Sequence, residues 1–375
     1  MKTKDYYFDL PPELIAQKPL NRGHSRLLVY SRSSGAVQHR HISHLPEILS
    51  SETLIVVNNS FVRRARIYAD RQGERSGSRQ GARQSAQQRK RSGARQVSKV
   101  EFIFLQPLTE GFTVLDQGQS SRYWQVMARK AKRQVPGTSY TLPDNVRAEI
   151  VENSSSGHSA LKVLLLSRPV GANYFAAHGS VPLPPYIRRE AHSSDEQDYQ
   201  TIFASKTGSV AAPTAGLHLS HSVLEKLRER GIRHCEITLH VGLGTFLPIR
   251  SDDLRKHTMH SEEYEIDEDT ADLITEHKHS GKAILAVGTT SLRTLEAAWN
   301  GRRIVPGRSK TDLFIYPGYT FGAVDALLTN FHTPESTLLM LVSAFAGRET
   351  ILSLYEKAIK EGYRFFSYGD ACLFL

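Results

Sequence analysis

Cysteine is almost missing from this chain: only Cys235 and Cys372 occur among 375 residues. They stand far apart, which argues against a disulfide framework and predicts free, buried thiols. No uninterrupted apolar run is long enough to span a bilayer. The opening MKTKDYYFDLPPEL has no apolar signal core. These absences predict a soluble cytoplasmic protein with no membrane partner. A dinucleotide fingerprint is missing as well. Gly242 and Gly244 follow a strand-like stretch, but no third glycine completes the pattern and Pro248 stands where a helix should open.

Acidic residues are nearly absent from one segment. Arg71, Arg75, Arg79, Arg83, Arg89, Lys90, Arg91, Arg95 and Lys99 face a single acid, Glu74. That segment carries +8 of the formal net charge of +10. A basic balance points to nucleic acid, but its concentration in one stretch says little about the rest of the chain. The stretch is a degenerate tandem (RQGE, RSGS, RQGA, RQSA) with almost no large apolar residue. It cannot bury enough surface to offset its ordering entropy, so residues 71–98 read as a disordered basic insertion.

The whole chain is 39% hydrophobic, enough for two domains. After the insertion come close-spaced runs rich in β-branched and aromatic residues: KVEFIFL, FTVLD, YWQVMARK, TSYTL, VRAEIVE and ALKVLLLS. Turn residues separate them, which predicts a small antiparallel barrel or sandwich over 66–167. The flanking parts, 1–65 and 168–375, mix strands and helices into one discontinuous α/β domain. TLIVVN, EITLHV, AILAVG, TDLFIY and ALLTNF read as buried strands. HSVLEKLRERG, DEDTADLITEHKHSG and ETILSLYEKAIKEG read as helices. TPESTLLMLVSAFAG reads as a helix capped by Thr333 with Pro334 at its first position. The expected fold is a mixed-sheet α/β domain interrupted by a β-barrel.

Several loops between strands and helices place polar groups where α/β sheets bind ligands. Gly288-Thr289-Thr290-Ser291 can cap a helix or meet a carboxylate or phosphate. Asn330-Phe331-His332-Thr333-Pro334-Glu335 sets an Asn, a His and a Glu around a helix start. Glu335 can simply complement the helix dipole, whereas His332 belongs to no apolar face. The small-residue run from Lys206 to His218 either lets a ligand approach backbone or packs tightly. His257, His260 and Glu262 could bind a metal, but their spacing is not the helical His-Glu-x-x-His pattern and no cysteine is near. An acid–base or ligand-binding cluster is the alternative there.

In order, the runs IAQKP, SRLLV, VNNS, VPLPPYI, VAAPTAGLH, TLHVGLGTFLPI, HTMHSEEY, VGTTSLRTLE, FIYPGY, LLTNFHTPESTLLMLVSAFAG and YRFFSYGDA resemble the S-adenosylmethionine:tRNA ribosyltransferase-isomerase family of queuosine synthesis. The resemblance spans nearly the whole chain outside the insertion. Two positions depart from the family pattern: Phe61 stands where an Arg is usual and Arg64 where a Pro is usual, leaving Arg63 or Arg64 to replace the missing contact. The resemblance implies transfer and isomerisation of the ribosyl part of S-adenosylmethionine onto 7-aminomethyl-7-deazaguanine at the tRNA wobble position. Epoxyqueuosine forms, and adenine and methionine leave. S-adenosylmethionine would be a consumed co-substrate, with no further cofactor and no metal.

That chemistry needs a base beside the carbon next to the sulfonium and an acid near the departing adenine. It also needs donors for the methionine carboxylate. By resemblance, His218, His260, Glu262 and His332 are the candidate catalytic residues, with Glu262 orienting a histidine. Thr214, Thr289, Thr290, Arg293, Asn330, Glu335 and Asp370 are the candidate substrate-binding residues. Arg22, Arg26, Arg188 and Arg189 are candidates for tRNA contact, against the alternative of plain surface charge. The chain is expected to act as a monomer. The competing functions are a metal-dependent hydrolase built on His257, His260, Glu262 and His332, and a non-enzymatic tRNA-binding protein.

Overall fold

The computed structural model describes residues 2–72, 99–115, 119–153, 161–242, 259 and 261–375. The basic insertion beyond Gln72, together with His257 and His260, lies outside them. Contacts divide the chain into two compact units, Met1–Arg63 with Leu183–Leu375, and Arg64–Pro182.

The first strands are β1 (Arg26–Tyr30), β2 (Val37–His41), β3 (Leu54–Asn58) and β4 (Ser60–Val62). The next six, β5 (Arg66–Arg71), β6 (Lys99–Leu108), β7 (Ser121–Ala128), β8 (Ser139–Thr141), β9 (Arg147–Asn153) and β10 (Leu161–Val170), close into a barrel in the order β10-β7-β6-β5-β8-β9. Every pairing in it is antiparallel. Its strands alternate inward and outward; Phe102, Phe104, Trp124, Val126, Tyr140 and Ile150 fill the interior. Phe175, on a short helix at Ala172–His178, stacks on Phe104 and Trp124 at 5.1 and 5.0 Å. That packing joins the segment after residue 167 to the barrel unit. FTVLD forms no strand; Val114 makes a single bridge to Leu108.

Asp70 and Lys99 are cross-strand partners at the end of the β5–β6 hairpin. A short Gly-containing turn should therefore replace residues 73–98 without disturbing the barrel. The shortened protein is expected to keep its stability to within about 0.5 kcal/mol, with tRNA affinity modestly weaker at low salt. Thermal melts and binding isotherms check this; an unfolded deletion variant would show the insertion to be structural.

The α/β unit continues with β11 (Lys206–Ser209), β12 (Arg233–Leu239), β13 (Glu262–Ile266), β14 (Ile284–Val287), β15 (Gly307–Thr311), β16 (Ala326–Asn330) and β17 (Ala371–Phe374). Nine of its strands form one mixed sheet in the order β15-β13-β12-β3-β14-β16-β17-β1-β2. The centre, β12-β3-β14-β16, is parallel. β3, β14 and β16 are buried along their whole length and are accordingly mostly apolar, whereas β12 begins with the exposed Arg233 and His234. Along β3, Leu54 and Val56 enter one core while Ile55 and Val57 enter the other. The helices at His221–Glu229, Glu268–His279, Thr289–Ala298, Thr337–Ala346 and Arg348–Lys360 supply the covering layers. Among the described residues no single helix is long and apolar enough to cross a membrane. Cys235 and Cys372 are free and buried.

Two local expectations are corrected. In TDLFIY only Thr311 belongs to a strand. The residues after it are held by side chains of the neighbouring helix instead: Arg293 Nε donates to the Leu313 carbonyl, and Glu296 accepts the N–H groups of Gly322, Ala323 and Val324. The helix in TPESTLLMLVSAFAG is capped by Ser336, whose Oγ accepts the Leu339 N–H at 3.1 Å, not by Thr333. Glu335 takes a left-handed conformation (φ 55°) and gives its N–H to the Tyr6 carbonyl, so 331–335 stays a loop.

Candidate active site

The parallel strands β14 and β16 end at Val287 and Asn330, and the loops that follow them turn into the same cleft. Its empty volume, taken out to the open mouth, is about 780 Å3. Thr214, Thr289, Thr290, Arg293, Asn330 and His332 line it, so six sequence candidates from three separate segments meet there. Tyr186, Tyr199, Ala211, Val241, Phe366 and Ser367 complete much of the wall. All of these but Tyr199 lie inside the motif runs, yet none carries a separate signal, because a tyrosine or alanine in a loop reads as packing.

Gly288 is the hinge between β14 and the Thr289–Ala298 helix. Its φ of 90° is a left-handed value that favours glycine. The turn opens the helix at the cleft with its first N–H groups outside the helix's own ladder. One turn on, Arg293 is buried and divided among three directions. Nε reaches the Leu313 carbonyl, Nη1 pairs with Glu262 Oε2, and Nη2 is buried without a hydrogen-bond partner among the described residues. The Thr290 hydroxyl is likewise buried and unpartnered. Two donors with nothing to bind, in a cleft wall, mark the place of an acceptor.

Glu262 is buried, with one oxygen on Arg293 and the other accepting the Gly242 N–H at 3.0 Å. Its described partners are therefore an arginine and a backbone amide rather than the expected histidine. His260 is outside the described residues.

Asn330 is the hub of the opposite wall. Its Nδ2 donates to the Phe366 carbonyl at 3.1 Å and to His218 Nε2 at 2.9 Å, while Oδ1 accepts the Thr214 hydroxyl at 2.9 Å. A carbonyl can only accept, so the amide nitrogen must face Phe366, and His218 Nε2 must then be an acceptor too. The neutral ring carries its proton on Nδ1 and gives it to Ser25 Oγ at 2.9 Å. Burial, with Arg364 adding to it, lowers the His218 pKa to about 4. Both ring nitrogens being committed, His218 holds Asn330 in place and does not itself line the cleft.

His332 does line it. Its Nε2 lies 3.0 Å from Thr329 Oγ1, its backbone N–H is fixed by the Tyr355 hydroxyl at 3.0 Å, and burial lowers its pKa to about 3. Both histidines are bases held below their unfolded value, so the unfolded chain binds more protons as pH falls. Their contribution to stability is complete above pH 6.5 and is lost progressively between 6.5 and 4. Each then costs about 1.4 kcal/mol per pH unit. Unfolding titrations from pH 7.5 to 5 should show this fall, and His332→Gln should remove roughly half of the slope; an unchanged slope would refute the buried neutral state.

The remaining candidates fall outside the cleft lining. Glu335 sits in the loop before Ser336. Asp370 is buried, with its oxygens accepting the N–H groups of Arg26 and Arg364 at 2.9 and 2.8 Å, and burial raises its pKa. It ties the loop carrying Phe366 and Ser367 to β1. Arg22 gives its Nη2 to the carbonyls of Gln197 and Gln200, Arg26 lies 3.8 Å over the Tyr363 ring, and Arg189 forms a two-pronged pair with the buried Asp195. Arg188 is exposed. Of the two departures, Phe61 is on β4 and partly exposed; Arg63 is half-buried and Arg64 donates to the Ala176 carbonyl at 2.7 Å.

One group that the sequence did not single out is His240. Its Nδ1 lies 2.7 Å from Ser60 Oγ, which lies 2.6 Å from Ser209 Oγ, which accepts the Val241 N–H at 2.9 Å. Gly208 is required beneath the ring, because a Cβ there would stand 2.4 Å from His240 Nδ1.

The chain matches the family described as queuosine biosynthesis protein over residues 3–374. It belongs to that family. The S-adenosylmethionine:tRNA ribosyltransferase-isomerase of Treponema denticola is 44% identical over 100% of both chains. That of Natranaerobius thermophilus is 42% identical over 99% of this chain and 98% of its own. The crystal structure of S-adenosylmethionine tRNA ribosyltransferase from Thermotoga maritima aligns over 99% of this chain and 100% of its own, with a TM-score of 0.52 and 31% identity. This queuosine-family member has its cleft built from VAAPTAGLH, VGTTSLRTLE and TNFHTPE, three of the longer runs that carried the resemblance.

Proposed function

We propose that this chain is an S-adenosylmethionine:tRNA ribosyltransferase-isomerase. It transfers and rearranges the ribosyl part of S-adenosylmethionine onto 7-aminomethyl-7-deazaguanine at the tRNA wobble position. Epoxyqueuosine-tRNA, adenine and methionine are the products. The observation that carries this from the relatives' names to these residues is the pair of unpartnered buried donors, Arg293 Nη2 and Thr290 Oγ1, at a helix N-terminus in the cleft. They suit the methionine carboxylate: the guanidinium supplies a charge-assisted bond and the helix end supplies amides.

In this reading Glu262 positions Arg293, and Asn330, held by His218 and Thr214, presents a fixed amide to the substrate. His332 is neutral at physiological pH. In the tautomer whose Nε2–H donates to Thr329, its Nδ1 is left to accept a proton from the carbon beside the sulfonium. His260 remains a candidate for the acid at adenine. S-adenosylmethionine is the consumed co-substrate, no further cofactor takes part, and the enzyme works as a cytoplasmic monomer. The metal-hydrolase alternative needs Glu262 as a ligand, whereas that carboxylate is engaged by Arg293.

Incubation with S-adenosylmethionine and precursor-modified tRNA tests the proposal. Adenine and methionine should appear together with a mass gain on the wobble nucleoside. S-adenosylhomocysteine as the only product would make the protein a methyltransferase and overturn it.

A further inference from the structure

The barrel has one end at which charge of a single sign gathers. β7 ends at Ala128, and Arg129, Lys130, Lys132 and Arg133 follow, all exposed. Lys130 takes a left-handed conformation (φ 52°) and starts the single turn Ala131–Arg133. The strand directions place other cations at the same end. β5 runs antiparallel to β6, and β6 to β7, so the end of β5 at Arg71 and the start of β6 at Lys99 share a rim with the end of β7. Acids on this rim are fewer. Asp70 is the cross-strand partner of Lys99, and Glu101 is already shared by Arg66 and Arg129 at 3.0 and 3.3 Å. Glu152, near the end of β9, is exposed. Lys130, Lys132 and Arg133 have no ion-pair partner among the described residues. Val135, 52% exposed, lies beside them.

We infer that this rim, centred on Lys130, Lys132 and Arg133, grips the sugar–phosphate backbone of the tRNA; the inference rests on the proposed reaction for the identity of the RNA. Most arginines that the sequence offered for that task are committed elsewhere: Arg22 to carbonyls, Arg26 to an aromatic ring and Arg189 to Asp195. The rim cations have no such commitment. Unpaired, exposed charges clustered in one short stretch of chain form the footprint that a polyanion neutralises by releasing its counterions. Lysine and arginine side chains on an exposed rim meet phosphates, so the contact positions the RNA and is independent of its sequence.

The test is the combined variant Lys130→Glu, Lys132→Glu, Arg133→Glu in the full chain, with Arg129 kept for its pair with Glu101. Binding of tRNA is measured from low to physiological salt for wild type, this variant and a control, Lys357→Glu with Lys360→Glu on the last helix. The rim variant should bind at least about tenfold more weakly at low salt. Its plot of log affinity against log salt should be shallower by about 2 to 3, roughly one per lost phosphate contact. The KM for tRNA should rise while turnover at saturating tRNA and the KM for S-adenosylmethionine hold. Unchanged affinity and slope, or an equal loss in the control, would overturn the assignment. So would a variant that keeps its tRNA affinity but loses binding to vesicles rich in phosphatidylserine, which would assign the rim to a membrane surface. Failure of the proposed reaction shows separately, as wild-type protein that binds tRNA but releases no adenine.

Discussion

Replacing Arg293 by lysine is expected to weaken S-adenosylmethionine binding by about ten- to a hundredfold with little loss of fold. A charge-assisted hydrogen bond is worth about 1.5–3 kcal/mol, and each 1.4 kcal/mol is about tenfold in affinity. Lysine can keep the charge opposite Glu262, which is buried and needs it. It cannot also reach the Leu313 carbonyl and leave a second, fixed donor for a carboxylate, as the arginine fork does. The methionine variant is a poorer probe. It would strand Glu262 as a buried lone charge, at a cost of about 3–5 kcal/mol, and so confuse binding with stability. Calorimetric titration of Arg293→Lys with S-adenosylmethionine decides the matter: wild-type affinity in a folded protein would remove Arg293 from the substrate site.

The second large effect is expected at Asn330. Asn330→Leu keeps the branched outline but strands the Thr214 hydroxyl and His218 Nε2, while the Phe366 carbonyl keeps the Gly369 N–H. Each stranded buried group costs about 1–3 kcal/mol, so the variant should lose several kcal/mol of stability and most of its turnover. Asn330→Asp makes a sharper test because it alters the pH dependence. A carboxylate beside His218 Nε2 favours the imidazolium and raises that histidine above its unfolded value. The wild-type contribution is present above pH 6.5 and lost as pH falls toward 4. In Asn330→Asp it should be present below 6.5 and lost as pH rises through the raised value. Stability curves of the two proteins should therefore diverge most at high pH. Parallel curves would show that Asn330 and His218 are not coupled.

The two histidines singled out from sequence illustrate how far residue patterns reach. His218 ends a run of small residues and His332 stands before a helix start on no apolar face, and the family resemblance puts both forward as catalytic. In the folded chain they differ in kind. His218 has both ring nitrogens committed, to Ser25 from the segment before β1 and to Asn330 at the end of β16. Those partners are remote in sequence, and no local pattern couples them. His332 keeps a place in the cleft because its loop does not become helix; Glu335 turns left-handed and Ser336 takes the cap. Thr333 and Pro334 are favourable cap residues, so the local rule was sound, and a tertiary bond from Glu335 N–H to Tyr6 overrode it.

By itself the sequence determined the fold class and the family. A doubly covered parallel strand must be apolar along its whole length, and a barrel strand must alternate; both patterns are written in consecutive residues. The motif order carried the family because long runs such as LLTNFHTPESTLLMLVSAFAG tolerate no chance match. Only the tertiary structure decided which charges are available. Asp370, Arg22, Arg189 and Glu262 look as available in sequence as Arg293 or Lys132. Most of their partners arrive from distant segments, as when Arg22 reaches the carbonyls of Gln197 and Gln200, or when Asp195, already paired with Arg189, accepts the Tyr368 hydroxyl. Whether a buried donor is satisfied depends on three-dimensional neighbours, and so the unpartnered Nη2 of Arg293 could be found only after the chain had folded around it.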